Sequence, residues 1–273
     1  MSSWIDGRVG SKVDYRDRGL NYGDGVFETM RVRRRAIRLL DYHLERLSDA
    51  CRRLAITAPN TARLRKELVR IAAQRPEAVL KLMVTRGIGA RGYRPSGRER
   101  CTRVISVHPL SRNTLQATQR PVRVRMCAMR LGVNPVLGGL KTLNRLESVL
   151  ARTEWSDTGI WEGLMRDTDD NIVCGTMSNF FIRRGSSLIT PRLDRCGVAG
   201  VMRRWVLEQA GALKLHPSEG RIHWEDLVEA DEAFMTNAVV GIVPVAMIQH
   251  GRARVRFAER KNSSELRSML ETL

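Results

Sequence analysis

Gly138-Gly139-Leu140-Lys141-Thr142-Leu143-Asn144-Arg145-Leu146-Glu147 sets a lysine between a small-residue turn and a helical pattern. At such an element end the amine lies beside flexible backbone and can be held against a ligand as a nucleophile. A helix-start lysine with no chemical role fits the same ten residues. Downstream, the spacing predicts a helix with Leu143, Leu146, Val149 and Leu150 on its inner face. What surrounds this stretch decides between the two readings.

Upstream, Asp41 is expected to cap a helix burying Leu44, Leu47, Cys51 and Leu54, and Asn60 a second one burying Leu64, Leu68, Ile71 and Ala72. Ala78–Val84 and Thr102–Val107 read as strands. The polar run 109–120 lacks apolar periodicity and ends at a proline, as a linker does. Beyond it come an alternating strand from Val122 and the Lys141 segment. Then follow a hairpin turning at Asp169-Asp170-Asn171, a helix from about Val198 to before Gly211, and strands near Ala233–Met235 and Gly241–Val245. Hairpins mixed with helices indicate an α+β fold in two domains, 1–108 and 121–273, with the lysine in the second.

Composition narrows the function. At 273 residues and 42% hydrophobic content the chain can bury one large core or two modest ones. No apolar run approaches the ~20 residues of a membrane span, and the first residues lack a signal-peptide core. Five scattered cysteines without a CxxC pair fit a reducing compartment, so the expected location is cytoplasmic. The net charge of +18 invites a nucleic-acid reading. Its arginines are spread through predicted helices and strands, however, and aromatics for base stacking are only 5%.

Several stretches carry candidate chemistry. Gly197-Val198-Ala199-Gly200-Val201-Met202 puts small residues before a helix, whose first N–H groups suit a phosphate. Unliganded Gly-rich turns share that pattern. Arg86, Arg91 and Tyr93 lie in Arg86-Gly87-Ile88-Gly89-Ala90-Arg91-Gly92-Tyr93, where arginines can meet a carboxylate through paired donors. Metal chemistry finds no support, because the five histidines have no ligand spacing and Asp167–Asn171 lacks the later residues of a calcium loop. There is no nucleophile-elbow or Walker motif.

Taken in order, Asn21-Tyr22-Gly23-Asp24-Gly25-Val26-Phe27-Glu28-Thr29, His43-Leu44-Glu45-Arg46-Leu47, the RGIGARGY loop, the Lys141 segment, Ser178-Asn179-Phe180-Phe181 and Thr190–Arg203 resemble fold-type IV pyridoxal-phosphate enzymes. KTLNRLE and RGIGARGY resemble the aminodeoxychorismate lyases among them. The resemblance implies a two-domain fold like that of D-amino acid aminotransferase, with pyridoxal 5'-phosphate on Lys141. It places the phosphate on Arg46, Val201, Met202 and Ala238, and substrate near Arg86, Arg91, Tyr93, Asn144, Arg145 and Asn237. It makes Thr29 a hydroxyl near the reacting carbon. It further implies a homodimer that forms 4-aminobenzoate and pyruvate for folate synthesis. One position departs: Cys174 stands where relatives carry the glutamate that protonates the pyridine nitrogen. A thiol, with a pKa of about 8.5, cannot supply that charge at neutral pH. This disfavours an aminotransferase for D- or branched-chain amino acids, the nearest alternative. A basic nucleic-acid-binding relative without cofactor is the more distant one.

Overall fold

The computed structural model describes residues 2–111 and 120–272. Packing divides the chain into two units, Met1–Ser111 with Lys141–Asn144, and Arg112–Leu140 with Arg145–Leu273. The expected linker falls mostly on 112–119, outside the described residues. The lysine segment, expected in the second domain, packs with the first unit.

That first unit is an antiparallel sheet covered by helices. Its elements are β1 (Ser3–Ile5), β2 (Arg8–Val9), α1 (Arg18–Tyr22), β3 (Gly25–Arg33), β4 (Ala36–Ile37), α2 (Leu40–Arg53), α3 (Thr61–Ala72), β5 (Glu77–Thr85) and β6 (Thr102–His108). The strand order is β2-β1-β6-β5-β3-β4. Alternation puts Val26, Met30, Val32, Leu80, Leu82, Val84 and Ile105 in the core, with Leu44, Leu47, Cys51, Leu64, Leu68 and Ile71 of α2 and α3. Full burial of each such side chain contributes roughly 2 kcal/mol. Asn60 caps α3 as expected, its side chain accepting from Arg63 N. Asp41 does not cap α2. The helix begins one residue before it, after Leu39 in a left-handed conformation, and Asp41 instead pairs with Arg65 across to α3.

The second unit comprises β7 (Val122–Leu131), α4 (Leu146–Arg152), β8 (Ile160–Asp167), β9 (Ile172–Gly175), β10 (Asn179–Arg184), β11 (Ser187–Pro191), α5 (Val201–Gln209), β12 (His216–Gly220), α6 (Trp224–Val228), β13 (Glu232–Asn237), β14 (Gly241–His250), β15 (Ala253–Arg256) and α7 (Lys261–Glu271). Its mixed sheet runs β12-β11-β10-β13-β14-β7-β8-β9, with β15 on β14. The core gathers Leu164, Phe180, Met235, Val243 and Ile248, and Phe181 stacks on Phe234 at 4.9 Å. The β8–β9 hairpin turns at Asp170 (φ 65°), with Asp167 Oδ1 accepting from the amides of Asp169 and Asn171.

The helix after Lys141 differs from its expectation. It starts only at Leu146, because residues 141–143 give their backbone bonds to β3. Its buried residue is Ala151, while Leu146, Val149 and Leu150 are 68%, 56% and 47% exposed. The expected inner face is therefore an exposed one, and Leu143 lies ahead of the helix altogether.

One polar cluster closes α2 onto the first sheet. Glu28, in mid-β3 and 2% exposed, accepts from Arg46 Nε at 2.8 Å and Nη2 at 2.5 Å, and lies 2.6 Å from His43 Nδ1. Burial raises the Glu28 pKa, but the Arg46 charge and the hydrogen bonds from His43 and Arg46 outweigh it and hold the value at about 2. Burial pushes His43 below its ordinary value, so it stays neutral and donates from Nδ1. The unfolded chain protonates Glu28 near the ordinary 4.5, before the folded one does. Its stabilisation is therefore complete above that pH and is lost as pH falls towards 2. Glu28→Gln should cost about 3 kcal/mol at pH 7 and flatten the loss of stability between pH 5 and pH 2. Urea midpoints at each pH measure this.

Candidate active site

Lys141 is placed by a backbone seam. Phe27 N donates to Lys141 O at 3.0 Å and Leu143 N to Gly25 O at 2.9 Å, so residues 141–143 lie extended along β3. This sets the Lys141 ammonium 4.2 Å from the centroid of the Phe27 ring. The face of an aromatic ring attracts an ammonium through its quadrupole. Asn144 sits over Gly23, donating from Nδ2 to its carbonyl at 3.4 Å. A Cβ at Gly23 (φ 65°) would collide with the Asn144 amide, so glycine is required there on both counts. Thr29 follows two residues after Phe27 on the same half-buried face of β3.

The predicted arginines separate. Arg86 is a structural pin: Nε donates to Asp24 at 2.7 Å, and Nη1 and Nη2 to the carbonyls of Ala55 and Leu54 at the end of α2. With its donors so engaged, the expected carboxylate role of Arg86 gives way to helix termination. Arg18, which the sequence did not single out, donates to Asp24 at 2.9 Å and to the carbonyls of Gly92 and Tyr93, holding the Arg-rich loop. Gly92 N in turn donates to the Tyr22 hydroxyl. The loop thus presents Arg91 and Tyr93 to solvent, Tyr93 being 87% exposed. Arg46 is oriented by Glu28 as described above.

In the second unit the Gly197–Gly200 turn leads into α5. The first intrahelical bond is Arg204 N to Gly200 O, so the amides of Val201 and Met202 precede the ladder, and no side chain caps the helix. Asn179 Nδ2 donates to Val198 O at 2.8 Å, and a Cβ at Gly200 would strike the Asn179 oxygen. Ala199 N donates to Gly139 O, two residues before Lys141 in the chain. Opposite Asn179 on β13 lies Thr236, whose fully buried hydroxyl has no hydrogen-bond partner. A buried hydroxyl left so costs about 1–3 kcal/mol. Sequence reading passed over it as an ordinary strand threonine. Asn237 Oδ1 accepts from Val239 N and Val240 N at 2.9 Å, so it shapes the turn containing half-buried Ala238. An uncapped helix start and an orphaned hydroxyl suit a phosphate.

Cys174 ends up buried in β9. Burial, then the neighbouring Cys196 and Glu162, push its thiol up to about 12. It is uncharged at any ordinary pH. Arg145, at the N-terminal end of α4, interacts with Cys174 electrostatically, and burial lowers its own pKa. The turn after Cys174 is organised by Glu162, a fully buried carboxyl receiving the hydroxyls of Thr176 at 2.6 Å and Ser178 at 2.7 Å and the Met177 amide. Burial raises the Glu162 pKa. An acid in mid-strand was the sequence signal for both Glu162 and Glu28.

Residues 25–248 match the amino-transferase class IV family model. Aminodeoxychorismate lyase from Vibrio harveyi is 31% identical over 269 residues, covering 98% of this chain and 99% of that protein. A branched-chain-amino-acid aminotransferase assigned provisionally in Methanocaldococcus jannaschii is also 31% identical, over 86% of this chain and 82% of its own length. The crystal structure of 4-amino-4-deoxychorismate lyase from Pseudomonas aeruginosa superposes with a TM-score of 0.93 at 42% identity, covering 99% of this chain and 98% of that one. With the family model matching well over half of the residues and one relative 31% identical over 98% of the chain, the chain belongs to the class IV aminotransferase family.

Proposed function

We propose that this chain is a pyridoxal-phosphate-dependent lyase that converts 4-amino-4-deoxychorismate to 4-aminobenzoate and pyruvate, a step towards folate. The observation that carries the reading is the Lys141 ammonium, fixed over Phe27 by the β3 seam. Near-full-length likeness to aminodeoxychorismate lyases supports the substrate. In the first unit Lys141 supplies the amine, and Arg46, aligned by Glu28, supplies a cation for the phosphate. In the second, the amides of Val201 and Met202, the Thr236 hydroxyl and the turn at Ala238 would receive phosphate oxygens. When bound, the cofactor supplies an electron sink conjugated to the amine-bearing carbon of the substrate.

The protein's part is proton handling and orientation. Lys141 Nζ, released when the substrate amine takes its place, removes the proton from the amine-bearing carbon. The C–O bond to the enolpyruvyl group breaks as that C–H bond is lost, and the ring becomes aromatic. Thr29 would donate to the departing oxygen, a role supported by its place two residues after Phe27 on the same face of β3. Arg91, Tyr93, Asn144, Arg145 and Asn237 are the proposed substrate contacts. Cys174, being uncharged, cannot stabilise a protonated pyridine nitrogen as a carboxylate would. This weakens the electron sink where transamination needs it most. Elimination suffers less, since the leaving group carries the charge away.

We also read the chain as a homodimer. Leu146, Val149 and Leu150 form an apolar stripe at i, i+3 and i+4 that α4 leaves exposed, and a second copy is the proposed cover.

The purified protein should release pyruvate from aminodeoxychorismate, followed through NADH consumption by lactate dehydrogenase. Lys141→Ala should lose at least about 1,000-fold in rate, and borohydride with cofactor should mark Lys141 in a peptide map. The Methanocaldococcus jannaschii relative favours a branched-chain aminotransferase as second reading. Amino-group transfer to a 2-oxo acid without pyruvate release would establish it. Cys174→Glu should gain transaminase side activity, and a variant that gains none refutes the role given to this thiol. Leu146→Glu combined with Leu150→Glu should sediment as a monomer where the parent sediments as a dimer.

A further inference from the structure

The half-buried face of the first sheet, opposite α2 and α3, carries a polar row of which the reaction as described uses only Thr29. Strand register sets Ser3, Ser106, Lys81 and Thr29 side by side across β1, β6, β5 and β3. Direct cross-strand neighbours have Cβ atoms about 5 Å apart, so Lys81 stands between the hydroxyl residues Thr29 and Ser106. The adjacent row is apolar, with Phe27 opposite Met83 and Met83 opposite Val104. Ser106 Oγ lies 2.8 Å from His108 Nε2, which steadies that end of the polar row.

Lysine is disfavoured in the middle of a central strand, and this one is half-buried. Among the described residues Lys81 makes no ion pair. Its ammonium rests 5.4 Å from the centroid of the Phe27 ring, the ring that also carries the Lys141 ammonium at 4.2 Å. Two like charges therefore share one aromatic ring, whose quadrupole attracts cations without neutralising them. Glu28, the nearest acid along β3, lies on the opposite face and is committed to Arg46 and His43. A partly desolvated cation without a counter-ion, flanked by hydroxyls, is the chemistry of a carboxylate receptor.

We infer that Lys81, with Thr29 and Ser106 beside it, binds a carboxylate of the substrate whose amine reacts at Lys141. The inference rests on the lyase reading for the identity of that substrate, an acid bearing an amine and two carboxylates. Lys81 is then a substrate-positioning residue, and it sets the distance between the captured carboxylate and the amine-bearing carbon. Of the sequence's candidates for this task, Arg86, Arg91 and Tyr93, the Arg86 guanidinium is spent on Asp24 and on the carbonyls of Leu54 and Ala55, and the other two are exposed.

The test compares the cofactor-loaded parent with Lys81→Met and Lys81→Arg, with melting temperatures as the folding control. Steady-state kinetics with aminodeoxychorismate are combined with calorimetric binding of 4-aminobenzoate and of pyruvate. Loss of one charge-assisted hydrogen bond should raise KM about tenfold or more in Lys81→Met, with kcat little changed. One of the two carboxylate ligands should weaken by a similar factor, and Lys81→Arg should recover most of it. Unchanged KM and unchanged binding of both ligands in Lys81→Met would overturn the inference, as would a fall in kcat alone. A parent that binds both acids but releases no pyruvate defeats the lyase reading instead. The two binding constants then still judge Lys81.

Discussion

Two backbone hydrogen bonds, Phe27 N to Lys141 O and Leu143 N to Gly25 O, are the constraint on which the rest of the site depends. Each contributes only about 1 kcal/mol net, but their effect is geometric. They hold residues 141–143 extended, so the helix cannot begin before Leu146. They also set the phase of the lysine against β3, and the alternation of that strand does the rest. Phe27 and Thr29 fall on the face shared with Lys141, while Glu28 turns into the core and aligns Arg46. A one-residue slip of the seam would exchange those faces.

The excess of arginine finds part of its explanation in the same economy of backbone groups. Arg18 and Arg86 each combine Asp24 with main-chain carbonyls, tying a loop and a helix end to one carboxylate. In the second unit Arg183 joins Asp231, buried Glu232 and Glu259, and Glu232 also receives the Ser263 amide at the start of α7. A planar guanidinium with five donors can satisfy carbonyls and acids together. Many of these cations thus act as internal staples, and net charge is a poor guide to the partner of such a chain.

Local patterns were legible where local rules suffice. Asn60 before α3, the alternation of β5 and the turn at Asp170 follow from capping, pleat and turn chemistry within a few residues. Lys141 stood out as the candidate amine through its motif. Arg86 was misread because its partners Asp24, Leu54 and Ala55 come from segments about 30 to 60 residues away. Lys81 and Thr236 were invisible for a related reason. A strand lysine lacking an acid, or a threonine lacking a partner, is recognised only once its neighbours are known.

The sequence by itself determined the α+β class and the family, and it singled out the lysine proposed as nucleophile, because these reside in periodicity and in short motifs. Only the tertiary structure decided which unit that lysine packs with, that the Cys174 thiol is buried and uncharged, and that the apolar face of α4 lies open. It alone set Lys81 beside Thr29 and against the same Phe27 ring as Lys141. Those outcomes depend on strand register and on desolvation, which arise from residues far apart in the chain and are written in no single stretch of it.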